Sequence, residues 1–320
     1  MSVAVLGAGA FGTALAIALA RHDADVTLWA RDTDVVRLMS RDRQNERRLP
    51  GVRFPARLAI TSEIGTVASE IVLLTVPMQQ LAGFLTFHSA TLNGRILVSC
   101  AKGIDLATQR GATDIISAAC PEAQIAVLTG PSFAADIARG LPTALTLACR
   151  DDRTGAALQE ALSTPVLRLY LSSDVRGAEL GGALKNVIAI AAGVVVGAGL
   201  GDSARAALMT RGFAEMNRLA IRLGAQSETL AGLSGFGDLV LTCTSDGSRN
   251  FRYGRALGAA EKFDPQTTVE GAATAKAVSI LAKTLDLEMP IAAMVAALVD
   301  RKISISDAMS QLLSRPLRKE

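Results

Sequence analysis

The chain has 320 residues, of which 50% are hydrophobic and 20% are charged, with a formal net charge of +3 at pH 7. Its length exceeds the usual size of one domain and its apolar content is that of a folded chain. We therefore expect two domains and exclude a disordered protein. The small net charge argues against nucleic-acid binding, because only residues 41–48 are locally basic and that stretch suits a solvated helix end and loop.

Short apolar runs alternate with helix-like segments in the first half of the chain. Residues 2–6 form a run that ends at Gly7, as in a strand buried on both faces. Residues 11–20 are rich in Ala, Leu and Ile without proline, which favours a helix. Further strands are predicted at 25–30, 71–76, 96–99, 124–129 and 143–148, where the series closes. This alternation predicts an α/β fold with a doubly wound, mostly parallel sheet.

After residue 171 the chain changes to long stretches rich in Ala, Leu and Ile without a clear strand pattern. We predict helices at 176–200, 202–224, 270–285, 290–300 and 305–314. The longest uncharged run, 186–201, is shorter than the roughly 20 residues that span a bilayer, so we expect a buried core helix and no membrane insertion. The sequence thus predicts an α/β domain over 1–175 and an all-α C-terminal domain over 176–320.

Three glycines follow the first predicted strand in the pattern G-x-G-x-x-G. Gly7 permits a tight turn, Gly9 lets the backbone approach a phosphate, and Gly12 lets the next helix pack close to the strand. Ala10 and Phe11 complete the motif at the start of the helix, whose free N–H groups face a bound pyrophosphate. We interpret the motif as a Rossmann dinucleotide site rather than as a glycine-rich turn without a ligand.

The end of the second predicted strand indicates which dinucleotide is bound. NAD enzymes usually place an acidic residue there, where it binds the ribose 2′-hydroxyl. This chain has Arg31 directly after the strand, followed by Asp32. A guanidinium neutralises a 2′-phosphate, so we favour NADP(H). Asp32 keeps NAD(H) open, and a merely solvated Arg31 is the alternative interpretation.

Hydride transfer to a carbonyl needs a group that gives a proton to the oxygen. The two histidines are weak candidates, because His22 ends the first helix and His88 is predicted in a loop between strands. Lys185 is stronger, since it opens a long apolar stretch near the domain junction, where partial desolvation lowers the pKa of a lysine. Gly181 and Gly182 on the same helical face are expected to leave room for a ligand. A lysine whose stem is buried and whose amine reaches solvent is the alternative.

Two loops follow neighbouring predicted strands at the carboxyl edge of the sheet. Lys102 comes shortly after the strand at 96–99, and Gly130 and Ser132 follow the strand at 124–129. Doubly wound folds bind their ligands at this edge. Lys102 is therefore a second candidate for the site, with ordinary turns as the alternative for both loops.

Together these motifs resemble the bacterial NAD(P)-dependent glycerol-3-phosphate dehydrogenases. The similar segments occur in family order over about residues 3–290. They are GAGAFGTALA at 7–16, CAKG at 100–103, TGPSFA at 129–134, LGGALKNVIAI at 180–190, LSGFGDLVLTCTS at 233–245, SRN at 248–250 and VEG at 269–271. No single segment is specific to this family, but the whole set of segments in this order is.

The resemblance implies the reversible reduction of dihydroxyacetone phosphate to sn-glycerol 3-phosphate, the backbone of glycerophospholipids. It implies that Lys185 donates the proton in reduction and accepts it in oxidation, with Asp238 beside it. Lys102 is implied to contact both cofactor and substrate. The other implied substrate contacts are Gly130, Ser132, Ser248, Arg249 and Asn250, and the other implied cofactor contacts are Ala134, Arg249 and Glu270. Hydroxyl, guanidinium and amide donors in the Ser-Arg-Asn triplet suit a phosphate dianion.

Two departures from the family pattern affect minor contacts, since Arg48 replaces a frequent aromatic residue and Ser203 replaces a frequent asparagine. The alternatives are a related 3-hydroxyacid or 6-phosphogluconate-type dehydrogenase and a dinucleotide-binding sensor without catalysis.

The four cysteines have no metal or redox spacing, so we expect reduced thiols, no metal site and a cytoplasmic protein. We also expect a homodimer formed through the apolar helical domain.

Overall fold

The computed structural model describes residues 2–22 and 24–308, and within them an eight-stranded sheet occupies the first half of the chain. A separate two-stranded hairpin is formed by β3 and β4. The strands are β1 (Ser2–Leu6), β2 (Asp25–Trp29), β3 (Gln44–Asn45), β4 (Leu49–Arg53), β5 (Ala59–Thr61), β6 (Ile71–Leu74), β7 (Ile96–Ser99), β8 (Gln124–Thr129), β9 (Thr143–Cys149) and β10 (Leu167–Ser172).

The main sheet has the strand order β10-β9-β8-β7-β6-β1-β2-β5 and is parallel except between β8 and β9. Helices cover both of its faces. Val3 and Val5 of the central strand β1 belong to one buried cluster, whereas Ala4 and Leu6 belong to the cluster on the opposite face. Burial on both faces explains why β1 is an uninterrupted apolar run. The predicted doubly wound, mostly parallel sheet is confirmed.

The prediction that the series of strands closes at residue 148 is wrong, because β10 pairs in parallel with β9 at one edge of the sheet. Its burial alternates, with Arg168 and Tyr170 on the exposed side. The short strand β5 at the opposite edge was also not predicted. Both are edge strands without a continuous apolar run, which is the signal that identified the central strands.

The helices are α1 (Ala10–Ala20), α2 (Thr33–Asp42), α3 (Met78–Leu92), α4 (Ala112–Ala119), α5 (Ala134–Arg139), α6 (Asp152–Leu162), α7 (Val175–Gly197), α8 (Asp202–Arg222), α9 (Ser227–Ala231), α10 (Asp238–Cys243), α11 (Arg249–Gly258), α12 (Glu270–Thr284) and α13 (Pro290–Val299). The two longest helices, α7 with 23 residues and α8 with 21, follow the sheet region. The predicted loop position of His88 is wrong, because this residue lies in α3. The helix predicted at 305–314 falls partly outside the described residues.

Helix α7 is the core of the helical region. It is long and apolar enough to cross a membrane by length and composition, but 89% of its most apolar window is buried inside the protein. Glycines bring α11 against it: a Cβ on Gly254 would overlap the carbonyl oxygen of Ile190, and one on Gly193 would overlap that of Phe251. The last strand of the sheet, β10, ends at Ser172, and α7 begins at Val175. The assignment of 1–175 and 176–320 to separate domains stays a prediction.

Candidate active site

The glycine turn, residues 7–12, connects β1 to α1. Gly7 has a φ of +124°, which a residue with a side chain rarely adopts. A Cβ on Gly12 would overlap the carbonyl oxygen of Gly7, whereas a Cβ on Gly9 would meet no atom within 4 Å. Ala10 and Phe11 form the first helical turn beside them. The turn therefore requires glycine at two positions for its own geometry and borders open space at the third.

The residues that follow β2 differ in what their side chains contact. Arg31 is exposed. The Asp32 carboxylate is the N-cap of α2 and accepts hydrogen bonds from the backbone N–H groups of Asp34 at 3.0 Å and Val35 at 3.1 Å. Capping engages one oxygen of this exposed carboxylate, and Arg31 beside it presents a guanidinium at the same edge.

At the carboxyl edge of the sheet, two lysines converge on one carboxylate. The Lys102 Nζ donates to the Asp238 Oδ2 at 2.6 Å, and the Lys185 Nζ lies 3.0 Å from the Asp238 Oδ1. Asp238 is 1% exposed and Lys185 is 7% exposed. The structure thus brings together Lys102 from the loop after β7 and Lys185 from α7, the two candidates for proton transfer, with Asp238 from α10, which the family resemblance implied.

Burial and neighbouring charges leave the pKa values of both Lys185 and Asp238 below their ordinary values, for different reasons. Burial lowers the pKa of Lys185 to about 8, with Lys102 adding to the shift and Asp238 opposing it. Burial alone would raise the pKa of the Asp238 carboxyl, but the two lysines outweigh it and hold that pKa below its ordinary value. At neutral pH the carboxylate is therefore ionised, and Lys185 can either hold or release a proton near physiological pH.

Thr242 joins the same group, although sequence reasoning did not find it. Its Oγ1 accepts a hydrogen bond from the Lys185 Nζ at 2.8 Å and donates to the Asp238 Oδ1 at 3.1 Å. It lies one helical turn after Asp238 in α10 and is 2% exposed. Only its i,i+4 spacing from an aspartate could have indicated it. We refer to Lys102, Lys185, Asp238 and Thr242 as the lysine–aspartate cluster.

The expectation that Gly181 and Gly182 leave room for a ligand is wrong. A Cβ on Gly182 would lie 2.5 Å from the Oγ1 of Thr129, and one on Gly181 would lie 2.7 Å from the carbonyl oxygen of Ser234. The space beside both glycines is already filled by these neighbours. Gly182 lets α7 pack against the end of β8, and Gly181 lets it pack against the backbone at Ser234 and Gly235.

The loop after β8 contacts the cluster directly. The Lys102 Nζ donates to the carbonyl oxygen of Gly130 at 3.1 Å, and the Ser132 Oγ donates to the same oxygen at 3.2 Å. Gly130 has a φ of +138°, which turns the chain at the sheet edge. Ala134 begins α5 just beyond this loop. The predicted substrate residues Gly130 and Ser132 therefore lie next to Lys102.

The triplet Ser248-Arg249-Asn250 forms the start of α11. Ser248 is buried and caps the helix by accepting a hydrogen bond from the Phe251 N–H at 3.2 Å. Asn250 is fixed to α7, since its Nδ2 donates to the Asn186 Oδ1 at 2.9 Å. The Arg249 side chain is exposed. An anion at this point would meet a helix N-terminus and a guanidinium together.

Asn186 and Glu270 connect this triplet to the helices α7 and α3. Asn186 directly follows Lys185 in α7, and sequence reasoning did not single it out. The Asn250 Oδ1 accepts from the Gly271 N–H at 3.0 Å, which ties α11 to the start of α12. At that start the Glu270 Oε1 accepts from the Met78 N–H of α3 at 3.3 Å. Burial raises the pKa of Glu270, while Arg249, Lys102 and Lys185 oppose the shift.

The comparisons with known proteins agree on one family. The model described as NAD-dependent glycerol-3-phosphate dehydrogenase N-terminus matches residues 2–155, and that of the C-terminus matches residues 174–310. The chain is 61% identical over its whole length to proteins named glycerol-3-phosphate dehydrogenase [NAD(P)+] from Ruegeria sp. (strain TM1040) and Paracoccus denitrificans, each covered in full. The crystal structure of glycerol-3-phosphate dehydrogenase from Coxiella burnetii is similar with a TM-score of 0.92 and 35% identity, over 98% of this chain and 99% of that one.

Proposed function

The chain belongs to the NAD-dependent glycerol-3-phosphate dehydrogenase family, and from this premise we propose how its site works. The protein catalyses the reversible reduction of dihydroxyacetone phosphate to sn-glycerol 3-phosphate with NAD(P)H. The bound dinucleotide supplies or accepts the hydride. The residues of this chain bind and orient the substrate and the cofactor, and they move the proton. The observation that carries the proposal is the convergence of Lys185 and Lys102 on Asp238.

Lys185 is the acid and base of the proposed mechanism. In reduction its ammonium gives a proton to the carbonyl oxygen of the substrate, and in oxidation its neutral amine takes the proton of the hydroxyl. Asp238 and Thr242 hold the Nζ in place through contacts of 3.0 Å and 2.8 Å. The pKa of about 8 allows both protonation states near neutral pH. Lys102, between Asp238 and Gly130, orients the substrate and the cofactor.

The phosphate of the substrate binds at the start of α11 in this proposal. Arg249 supplies the charge, and Ser248 and Asn250 supply neutral donors beside a helix N-terminus. Gly130 and Ser132 hold the other end of the substrate near Lys102. Binding the remote phosphate keeps the carbonyl carbon in position for hydride transfer, which converts binding energy into rate.

The glycine turn fits a dinucleotide, because Gly9 borders open space where the backbone can approach a pyrophosphate. Ala10, Phe11, Ala134 and Glu270 are the further proposed contacts. NADP(H) is the proposed preference, since the exposed Arg31 can neutralise a 2′-phosphate, whereas capping engages one oxygen of the Asp32 carboxylate. Measuring KM for NADPH and for NADH tests this preference, and a lower KM for NADH would contradict it.

A spectrophotometric assay tests the function itself. We expect loss of NADPH absorbance with dihydroxyacetone phosphate, no comparable rate with a 3-oxo acid, and no comparable reduction of NADP+ with 6-phosphogluconate. A 3-hydroxyacid has no phosphate and would not need the triplet at the start of α11, whereas 6-phosphogluconate carries a phosphate and is distinguished by the assay. Absence of turnover with dihydroxyacetone phosphate would overturn the proposal, and a dinucleotide-binding sensor would show that result.

We further propose a cytoplasmic homodimer whose product supplies glycerophospholipid synthesis. Exposed apolar side chains on the helical region support the dimer, because Ile221 is 53% exposed, Phe236 48% and Val240 38%. Light scattering on the purified protein tests it. A monomer at micromolar concentration would contradict the proposal, and Ile221→Asp is expected to weaken the dimer.

A further inference from the structure

We propose that Asn45 is a positioning residue for the cofactor, because its side chain fixes the peptide of the glycine turn that faces the pyrophosphate. The inference rests on the cofactor site of the proposed function. Asn45 lies in β3, in the hairpin outside the main sheet, and is 3% exposed. It stands 37 residues from Ala8 and 32 from Thr13, so its contacts with them are tertiary.

The carboxamide nitrogen of Asn45 donates hydrogen bonds to the glycine turn and to the first part of α1. Its Nδ2 donates to the carbonyl oxygen of Ala8 at 3.0 Å and to the Oγ1 of Thr13 at 2.9 Å. Its Oδ1 accepts from the Arg48 N–H at 3.3 Å. A carboxamide has two donor hydrogens, and both point to the glycine turn and the first part of α1. One side chain thereby joins the turn, the helix and the hairpin.

The contact with Ala8 determines the direction of one peptide. The carbonyl of Ala8 and the N–H of Gly9 belong to the same trans peptide and point in opposite directions. Because the carbonyl oxygen faces Asn45, the Gly9 N–H faces away from it. A rotated peptide would instead present a carbonyl oxygen to the anion. Asn45 therefore keeps a donor, rather than an acceptor, available to the pyrophosphate.

Thr75 holds the turn from another side without duplicating this effect. Its Oγ1 donates to the carbonyl oxygen of Gly7 at 2.8 Å and lies 3.1 Å from that of Leu6. Those contacts fix the end of β1 and leave the peptide between Ala8 and Gly9 to Asn45. Removing the Asn45 carboxamide should consequently loosen one peptide of the site while the packing of β1 and α1 persists.

The test is titration calorimetry of the full chain carrying Asn45→Ala, with NADPH and with adenosine 2′-monophosphate. The Kd of NADPH is expected to rise about tenfold, in line with the loss of two neutral hydrogen bonds. The Kd of adenosine 2′-monophosphate, which lacks the pyrophosphate, is expected to stay unchanged. Equal affinity of variant and unsubstituted protein for NADPH, or parallel weakening of both ligands, would overturn the inference.

Two further variants keep the test decisive. Asn45→Asp keeps the size and the acceptor for Arg48 but turns an oxygen towards Ala8, so it should weaken NADPH more than Asn45→Ala. Arg43→Met is the matched control, because the Arg43 guanidinium donates to the carbonyl oxygen of Leu58 at 3.0 Å, away from the turn. It is expected to bind NADPH normally. A control that loses as much NADPH affinity as Asn45→Ala would contradict the assignment.

Turnover separates this inference from the proposed function. With dihydroxyacetone phosphate, Asn45→Ala should raise KM for NADPH and leave kcat within about twofold, since the residue affects binding rather than chemistry. A protein that binds NADPH with the predicted pattern but turns over no dihydroxyacetone phosphate would contradict only the function. A fall in kcat without a change in KM would contradict the positioning role.

Discussion

The glycine turn and the lysine–aspartate cluster are both parts of one site, but they are built in different ways. The turn uses consecutive residues, and its geometry depends on backbone conformation and on the absence of side chains at Gly7 and Gly12. The cluster joins residues up to 136 positions apart, and its geometry depends on buried charges. The geometry of the turn is thus insensitive to pH, whereas Lys185 in the cluster changes its protonation state near pH 8. Substitutions in the two regions should accordingly change different kinetic constants.

The substitution Lys185→Met changes the lysine–aspartate cluster and should have the largest effect on kcat. Loss of the proton donor is expected to lower kcat by about 10²- to 10⁴-fold, the usual contribution of general acid catalysis. The Kd of NADPH should not change, because the turn is untouched. Stopped-flow turnover and a NADPH titration measure the two quantities. Lys302→Met, which replaces a lysine with a 71% exposed side chain, is the control, and near-normal kcat in Lys185→Met would contradict the comparison.

Arg249→Ala should mainly affect KM for dihydroxyacetone phosphate. A charged hydrogen bond contributes about 1.5–3 kcal/mol, so KM is expected to rise about ten- to hundredfold. Stability should stay close to that of the unsubstituted protein, because the side chain is exposed. Steady-state kinetics at saturating NADPH provides the measurement. Arg252→Ala is the control on the same helix, where this guanidinium donates to the carbonyl oxygen of Asp246, and a similar rise in KM there would refute the assignment.

The pair Gly9→Ala and Gly12→Ala should separate the two requirements within the turn. Gly12→Ala forces a Cβ into the carbonyl oxygen of Gly7 and is expected to cost about 1–3 kcal/mol of stability. Gly9→Ala meets no atom, so its Tm should be unchanged while its NADPH affinity falls about tenfold through crowding of the ligand. Thermal unfolding and NADPH titration test both. Unchanged NADPH affinity in Gly9→Ala would show that the turn does not approach the ligand there.

The central sheet could be predicted from the sequence because burial on both faces leaves a local signal, an uninterrupted apolar run. The edge strands β5 and β10 lack that signal, since one of their sides is exposed or they are too short. The loop prediction for His88 is wrong because it lies in α3, where its ring packs at a tilt of 48° against Phe84, with 4.7 Å between the ring centroids. Such contacts depend on tertiary packing, which single-sequence patterns do not record.

Some residues of the candidate site could be predicted from the sequence and others could not. The glycine turn has a contiguous signature, and the apolar surroundings of Lys185 indicated a lysine with a lowered pKa. Asp238 was indicated only by family resemblance, and Thr242 was not found, because a contact across 57 residues leaves no local pattern. Gly181 and Gly182 were misinterpreted because a sequence shows a missing side chain but not the neighbour that fills its space. The roles of all these residues, the NADP(H) preference and the domain boundary stay predictions.

The pH dependence of kcat/KM in both directions tests the central claim, that Lys185 transfers the proton within the lysine–aspartate cluster. Its pKa of about 8 means that the ammonium dominates below this pH and the amine above it. For reduction, kcat/KM should be level below pH 8 and fall about tenfold per unit above it. For oxidation it should rise to pH 8 and then level off. Profiles that share one direction, or that lack an inflection near pH 8 attributable to Lys185, would contradict the account.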